Sequence, residues 1–452
     1  MLFASLLLAH PAALAAAFQE DPAKPADALR GRAEVWRLDK VETLDGKALE
    51  DVTLVLREGL IEKMGQAVIV PEGARIHDLR GQKFVASPPL VLAHANFLVQ
   101  DQRGAGNSSR WRAVDSLWLA EGWEKDLLRA GVLFAGVDPP GAGLPGRTSV
   151  IAAGGGWPRP DAVVNDLHLK LTITANAQSK DLIRKALKDA DEAIEKEKKA
   201  KADWEKARAD WEKKQKEKAE KEKAEGAEAK KPEGGKAAAA HEGEEKAPPE
   251  KFEPPVIPPD LQAIVEWVRQ ERLAQVWISS AADWVHWKDV LGKRELPYEL
   301  VLRHGLGQNF HEVTAELVAA QVRVDMPALI SFLPFTRTRV NLPAEWVKAG
   351  LKHLILSPDS DSLRSLMDWR TSVSRCVAEG LPRERALEAM TLEPARSLGQ
   401  ESQVQALKAG APANFVIWSG DPLDPMARAA FVVRDGKIVY DRAREEALEA
   451  RQ

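Results

Sequence analysis

The sequence predicts an α/β protein built around a (β/α)8 barrel, with a small β domain beside it. Strand-like and helix-like segments alternate through the middle of the chain, and short strands with turns occupy both ends. Such alternation is typical of parallel strands joined by helical crossovers. The 452 residues suffice for a barrel and a satellite domain, and a hydrophobic content of 44% supplies a sizeable core.

The N-terminal segment is typical of an export signal. Residues 2–8 are apolar, and A-x-A patterns follow at 13–15 and 15–17. We therefore predict a cleaved signal peptide over residues 1–17, and a periplasmic or secreted protein. A buried N-terminal helix is the alternative, because no basic residue precedes the apolar run. This run is too short to span a membrane, and Cys376 alone can form neither an intrachain disulfide nor a cysteine metal cluster.

Both ends of the chain are predicted to pair into one composite β-sandwich domain, formed by residues 30–86 and 398–445. The segment VTLVLREGLIEKMG alternates on both sides of Glu58-Gly59, as a hairpin does. Near the C-terminus, AAFVVRDGKIVYDR alternates in the same way around Asp435-Gly436. Dipeptides that end in glycine are strong turn signals at such positions.

Residues 87–397 are predicted to form the barrel. Helical stretches at 111–130 and 261–272 lie between strand-like segments. Eight buried strands with helical crossovers favour a (β/α)8 barrel. The candidate strands are residues 90–97, 132–138, 148–155, 163–173, 275–281, 298–305, 322–330 and 353–359.

A highly charged insertion at residues 180–258 interrupts the predicted barrel. Its segment ADWEKARADWEK repeats at seven residues, which places Trp204 and Trp211 on one helical face. This spacing predicts a long helix, a helical hairpin or a short coiled coil. The rest is low in complexity and is predicted to be disordered. The insertion is either a solvated spacer or a docking arm for a protein partner, and its balanced charge gives no reason to expect nucleic acid.

Polar residues stand where three of the candidate strands end. SPPLVLAHANF brings His94 and Asn96 to the same face of the first strand. His304 ends the sixth strand and Asp359 ends the eighth. Because barrel active sites lie at the carboxyl ends of the strands, two histidines and an aspartate there would suit a single divalent metal such as zinc. Asp359 would serve as ligand or general base.

The remaining candidate strands weaken the case for a metal. The fifth carries Trp277, Ile278 and Ser279 where an imidazole would be needed, and an asparagine oxygen at Asn96 is a poor zinc ligand. The site therefore holds either no cofactor or one divalent metal. Further pocket candidates, together with Asn96, are Lys170, Arg147 and His311.

Four stretches resemble the amidohydrolase superfamily, nearest its imidazolonepropionase-like branch. They are the segment from VTLVLREG to AHAN, AGVLFAGVDPPGAGLPGRTSVI, HLILSPDSDS, and the closing segment ALEAMTLEPARSLGQESQVQALKAGAPANFVIWSGDPLDP. The resemblance implies a metal-assisted barrel hydrolase with a β-sandwich built from both termini. Such enzymes cleave C–N bonds in amides or cyclic amides.

Positions carried over from this family complete only part of its metal site. His94 matches the first histidine of the family's H-x-H pair, His304 the sixth-strand histidine, and Asp359 the essential aspartate. Asn96 stands in place of the second histidine, and the fifth-strand histidine is missing. Lys170 would occupy the place of the bridging lysine.

Two functional hypotheses follow from this incomplete pattern, and they leave open whether the protein is an enzyme. One is a non-catalytic or weakly active amidohydrolase relative with a binding or assembly role. The other is a mononuclear hydrolase that uses His94, His304 and Asp359. The partners expected are a small amide or cyclic amide, and a protein partner or second copy, with no nucleic acid and no membrane span.

Overall fold

The computed structural model describes residues 31–99, 106–117, 122–155, 161–225, 247–303, 309–333 and 335–450. The predicted signal peptide, His304 and most of the low-complexity part of the insertion lie outside these residues. The chain divides into two units. The first comprises the residues up to Pro88, Gln405–Asp421 and the residues from Ala430 onward; the second comprises Pro89–Val404 and Pro422–Ala429.

The strands of the described chain are numbered from its N-terminus. They are β1 (Glu34–Val41), β2 (Leu49–Arg57), β3 (Leu60–Gly65), β4 (Arg75–Asp78), β5 (Val85–Ser87), β6 (Leu90–Leu92), β7 (Gly106–Asn107), β8 (Val132–Val137), β9 (Gly143–Arg147), β10 (Ser149–Ala152), β11 (Asp161–Val164), β12 (Leu169–Thr172), β13 (Ala274–Ile278), β14 (Tyr298–Leu302), β15 (Val324–Pro327), β16 (Ser331–Phe332), β17 (Arg339–Val340), β18 (Leu354–Ser357), β19 (Phe415–Trp418), β20 (Ala429–Arg434) and β21 (Lys437–Asp441).

The helices are numbered in the same direction. The α-helices are α1 (Trp123–Arg129), α2 (Ala177–Glu225), α3 (Pro259–Val268), α4 (Ala281–Leu291), α5 (Thr314–Ala320), α6 (Leu342–Lys348), α7 (Leu363–Ala378), α8 (Arg383–Met390), α9 (Leu392–Ser397) and α10 (Arg442–Glu449). Short 3-10 helices cover Asn96–Leu98, Ala113–Ser116 and Phe310–Val313.

The first unit is built on one eight-stranded sheet that draws strands from both ends of the chain. Its order is β21-β20-β19-β5-β1-β2-β3, and β4 pairs with β1. The hairpins β2–β3 and β20–β21 turn at Glu58-Gly59 and Asp435-Gly436, and all four residues have positive φ. Such dipeptides form the type I′ turns that suit twisted strands. Trp36, Leu54 and Phe415 are buried in the core of this unit.

The second unit contains the parallel strands of the predicted barrel. Strands β12, β13, β14, β15 and β18 lie parallel in a seven-stranded sheet, which continues through the antiparallel strand β9 to β7. Strands β6 and β8 are parallel to each other in a separate four-stranded sheet with β10 and β11. The α/β class predicted from the sequence is confirmed, but the strand pairs of the described residues do not close a barrel.

The segment predicted as the third barrel strand explains part of this difference. Strand β10 runs antiparallel to β8, with Ser149 opposite Val137. The connection between these strands contains β9 but no helix. Because a parallel neighbour needs a crossover of about a dozen residues or more, usually helical, this connection favours the antiparallel pairing. The predicted fourth strand, 163–173, is also divided, between β11 and β12.

The first part of the charged insertion lies in one continuous helix, α2, of 49 residues. Its first turns bury Ile183, Leu187 and Ala190 at helical spacing. Further along, Trp204 donates its indole N–H to the Pro249 carbonyl at 3.0 Å. The segment around Pro249, near the end of the insertion, therefore packs back on α2.

Candidate functional site

Side chains from several parallel strands meet at the carboxyl ends of those strands. Parallel strands point their carboxyl ends to one side, where barrel enzymes place their active sites. The group contains basic, acidic and aromatic side chains, most of them buried. We call it the His94 cluster; its members are His94, Asp138, Lys170, Trp277, Arg303, Asp325, Ser357 and Asp361.

His94 is held where strand β6 ends by close packing against β8. A side chain at Gly136 would collide with the Ala93 carbonyl, so only glycine permits this approach. The His94 ring is buried, with Nε2 3.2 Å from Asp325 Oδ2 and Nδ1 3.6 Å from Asp361 Oδ1. Each nitrogen therefore faces a carboxylate.

The two carboxylates determine the charge of His94. Burial by itself lowers the pKa of the imidazole, but the charges and hydrogen bonds of Asp325 and Asp361 outweigh it and raise that pKa to about 10. Burial raises the pKa of Asp361, yet His94 and Arg303 hold it well below its usual range. The His94 side chain is therefore an imidazolium at neutral pH.

Trp277 lies at the centre of the cluster, on strand β13. The Lys170 ammonium lies 3.7 Å from the centroid of its indole ring, and the Arg303 guanidinium carbon lies 4.7 Å from it. The His94 ring meets the indole at an interplanar angle of 62°. Cations over an indole face are attracted by its negative potential, more strongly when they are removed from water. Three basic side chains, those of Lys170, Arg303 and His94, therefore contact the Trp277 ring.

Acidic partners balance these cations. Lys170 is buried and paired with Asp138; burial lowers the pKa of Lys170, and Asp138 opposes that effect. Arg303 donates to Asp361 Oδ2 at 2.6 Å. Ser357 donates its hydroxyl to Asp325 Oδ1 at 2.5 Å. The cluster therefore contains three basic and three acidic groups that neutralise one another.

Hydrogen-bonding capacity remains unused in this buried cluster. Asp138 Oδ1 and Trp277 Nε1 make no hydrogen bond with another described residue, whereas Asp325 Oδ2 and His94 Nδ1 are engaged in the ion pairs of His94. Buried polar atoms are nearly always hydrogen-bonded in folded proteins. Asp138 Oδ1 and Trp277 Nε1 therefore retain the capacity to bond a water molecule or a ligand.

The described residues do not fit a divalent metal. They contain no group of three or more histidine, cysteine, aspartate or glutamate side chains arranged to hold one. Each ring nitrogen of His94 instead faces a carboxylate, Asp325 on one side and Asp361 on the other. Lys170 and Arg303 add two further positive charges around the same indole ring.

The other residues singled out from the sequence lie elsewhere. Asp359 is exposed and accepts a hydrogen bond from the Ser365 hydroxyl at 2.6 Å, so Asp325 and Asp361 are the carboxylates beside His94. Asn96 is half-buried at the start of the 3-10 helix Asn96–Leu98. His304 lies outside the described residues.

Arg147 and His311 also have other surroundings. Arg147 pairs with Asp166 and donates to the Arg110 carbonyl at 2.7 Å. His311 is half-buried in the 3-10 helix Phe310–Val313. In the described part of the chain, neither Arg147 nor His311 makes a hydrogen bond or ion pair with a member of the His94 cluster.

Sequence reasoning missed three acidic members of the cluster: Asp138, Asp325 and Asp361. Two of them carry a visible signal. Asp138 directly follows the apolar strand β8, and Asp325 is a charged residue inside the otherwise apolar stretch of β15. Asp361 lies two residues after Asp359, and no local feature distinguishes the two.

A second polar cluster lies toward the amino ends of the same strands. We call it the Glu299 cluster; it contains His168, Gln275, Glu299, Arg323 and Ser397. Glu299 Oε1 accepts hydrogen bonds from Gln275 at 2.8 Å and Ser397 at 2.7 Å. Its Oε2 accepts from Ser397 at 2.8 Å and from Arg323 at 3.5 Å. His168 donates from Nε2 to the Ser397 carbonyl at 2.7 Å, and burial lowers its pKa.

Comparison with known proteins links this architecture to amidohydrolases. Residues 312–440 match the sequence model of an amidohydrolase family. An amidohydrolase from Thermotoga maritima superposes with a TM-score of 0.65 at 18% identity, over 90% of this chain and 100% of that one. No protein of curated function matches the sequence.

A second solved structure shares the fold at lower similarity. The β-aspartyl dipeptidase of Fervidobacterium islandicum, in complex with a β-Asp-Leu dipeptide, matches with a TM-score of 0.51 at 11% identity, over 91% of this chain and 97% of that one. The architecture is therefore the α/β fold of amidohydrolases. The strand pairs of the described residues do not close its barrel. None of the described helices is both long and apolar enough to cross a bilayer.

Proposed function

We propose that this protein is a member of the amidohydrolase superfamily that acts by binding, because an ion-pair cluster takes the place of a metal centre. The observation that carries the proposal is Trp277, which has Lys170 and Arg303 within cation–π distance of its ring. The family match over residues 312–440 and the shared fold support the superfamily assignment.

Electrostatics make the His94 cluster unfavourable for a divalent cation. Zinc would have to displace the proton of His94 and approach the positive charges of Lys170 and Arg303. The carboxylates it would recruit, Asp325 and Asp361, already face His94. The free energy of metal binding would be offset by breaking these buried pairs, which is costly in a low-dielectric site.

A binding role follows from the unused polar atoms of the same cluster. Asp138 offers one carboxylate oxygen as an acceptor, and Trp277 offers its indole N–H as a donor. Small-molecule sites use a few such convergent polar groups to orient a ligand. A small amide, which both donates and accepts hydrogen bonds, suits this set.

Metal analysis of the purified protein tests the proposal. We expect less than about 0.1 zinc per chain after equilibration with micromolar zinc, and no change in melting temperature on adding a chelator. The matched variants are His94→Ala in the cluster and His311→Ala outside it. Zinc at one equivalent that His94→Ala abolishes and His311→Ala leaves in place would overturn the proposal.

A mononuclear hydrolase using His94, His304 and Asp359 is the alternative. It requires Asp359 to join His94 at a metal. Asp359 instead accepts from Ser365 and lines a separate cavity. The alternative therefore has weaker support than a metal-free cluster.

We also propose that the protein is exported to the periplasm or beyond. The support is the apolar run at residues 2–8 and the small-residue patterns that follow it. Expression of the full chain in a Gram-negative host, followed by mass spectrometry of the periplasmic fraction, should find a mature N-terminus after residue 15 or 17. Recovery of only uncleaved cytoplasmic protein would contradict export.

A further inference from the structure

Two adjoining cavities lie beside helix α7 in the second unit. The larger has a volume of about 520 Å³, and its lining includes Asp359, Ser360, Ser365 and Asp368. The smaller has a volume of about 250 Å³. Leu329, Ser372 and Arg375 line both cavities, so the two spaces meet at these side chains. None of these residues belongs to the His94 cluster.

Arg375 is an exposed residue at the junction of the two cavities. Its guanidinium makes no hydrogen bond or ion pair with another described residue. The other arginine of the smaller cavity, Arg339, is already paired with Glu379. An arginine that borders two cavities offers a planar, two-pronged donor for a carboxylate.

The larger cavity also contains negative charge. Asp359 and Asp368 line it, and Asp368 has only a 3.9 Å ion pair with the exposed Arg364. Arg375 lies two helical turns beyond Asp368, about 10 Å along the axis. Asp368 and Arg375 both line the larger cavity. Opposite charges therefore border one space.

The smaller cavity has an apolar side opposite Arg339, Ser372 and Arg375. Ala328, Leu329, Ile330 and Phe332 line it. Phe332 is 58% exposed, although an aromatic side chain gains free energy when it is covered. A ligand group that enters this cavity is therefore favoured when it is apolar.

We propose that these cavities bind a zwitterion that carries an apolar group, of which a free apolar amino acid is the simplest example. Its carboxylate pairs with Arg375, its ammonium group lies among Asp359, Asp368 and the serine hydroxyls, and its apolar group occupies the smaller cavity. The site shares no residue with the His94 cluster, so it stands whether or not that cluster holds a metal.

Calorimetric titration of the full chain with L-leucine, up to about 10 mM, tests the proposal. Three analogues each remove one feature: N-acetyl-L-leucine the ammonium group, L-leucinamide the carboxylate, and glycine the apolar group. We expect each to bind at least about tenfold more weakly than L-leucine. Absence of leucine binding, or equal binding of any analogue, overturns the proposal.

Matched variants locate the site. Arg375→Gln should weaken leucine binding at least about tenfold, whereas Arg337→Gln removes the same charge from an exposed residue outside both cavities and should leave binding unchanged. Asp368→Asn should weaken binding of leucine but not of N-acetyl-L-leucine. Equal effects of the two arginine variants would overturn the assignment. Because zinc content is measured separately, this failure is distinct from failure of the metal-free proposal.

Discussion

The His94 and Glu299 clusters lie at opposite ends of the same parallel strands, and their carboxylates and histidines differ. Glu299 has both oxygens hydrogen-bonded. Asp138 leaves one oxygen without a hydrogen-bond partner in the described chain. His94 faces two carboxylates and its pKa is raised, whereas His168 donates to a carbonyl and its pKa is lowered.

This difference separates a supporting role from a binding role. A buried carboxylate with all its acceptors used stabilises the fold and leaves nothing for a ligand. A buried carboxylate with a free oxygen costs stability unless a bound group uses it. Gln275 Oε1 and Arg323 Nε are exceptions in the Glu299 cluster, since they also lack a hydrogen bond. The contrast therefore rests on the carboxylates and the histidines.

The largest expected effect is the opposite pH dependence of the two histidines. Because the folded pKa of His94 is about 10, above its ordinary 6.5, its stabilisation is complete below about pH 6.5 and is lost as pH rises toward 10. The slope is at most about 1.4 kcal/mol per pH unit. Urea unfolding between pH 5 and pH 10 measures this loss.

The variant His94→Gln should flatten the alkaline limb of that profile. His168→Gln should instead affect the acid side, because a histidine held neutral by burial destabilises the fold as pH falls below its unfolded pKa. An unchanged alkaline slope in His94→Gln would contradict the assigned charge state.

The next effect in size is the loss of the indole ring from the His94 cluster. Trp277→Ala should lower the free energy of unfolding by about 4 kcal/mol, since it opens a cavity and leaves Lys170 and Arg303 without the ring. Trp277→Phe keeps an aromatic face and should cost about half as much. Urea unfolding at pH 7 measures both, and equal losses would argue against a cation–π role.

Removal of one charge from each cluster comes next. Glu299→Gln should cost about 3 kcal/mol, because the Glu299 carboxylate accepts hydrogen bonds from Gln275, Ser397 and Arg323. Asp138→Asn should cost about 2 kcal/mol, because Lys170 can release its proton when it loses its partner. Urea unfolding at pH 7 measures the free energy lost in each variant. A larger loss in Asp138→Asn than in Glu299→Gln would contradict the proposed difference between the two clusters.

The smallest effect is expected at Asp359. This side chain is exposed and bonds only to Ser365 in the described structure. Asp359→Asn should therefore change the free energy of unfolding by less than about 0.5 kcal/mol. It should also leave any activity toward amide substrates unchanged, which an amide-hydrolysis assay checks. Loss of turnover in this variant alone would favour the mononuclear hydrolase.

Local features of the sequence determined the α/β class and the form of several elements. Glu58-Gly59 and Asp435-Gly436 form the turns of the two hairpins, where both residues of each pair have positive φ. Glycine adopts this conformation without steric cost, which is why such dipeptides signal a hairpin turn. Trp204 and Trp211, whose seven-residue spacing predicted a helix, both lie in the continuous helix α2. These features depend on neighbours in the chain, so periodicity and turn chemistry suffice to predict them.

Only the tertiary structure decided which polar side chains meet. Asp325 and Asp361, rather than Asp359, face His94. Trp277 lies between Lys170 on β12 and Arg303, which directly follows β14. The direction of β10 likewise followed from its connection to β8 rather than from its strand-like composition. Both results depend on how segments distant in the sequence pair with each other, and on the side of the strand to which each side chain points. Local periodicity predicts that a strand or helix exists, but the energy of a buried charge is set by the groups that surround it in space.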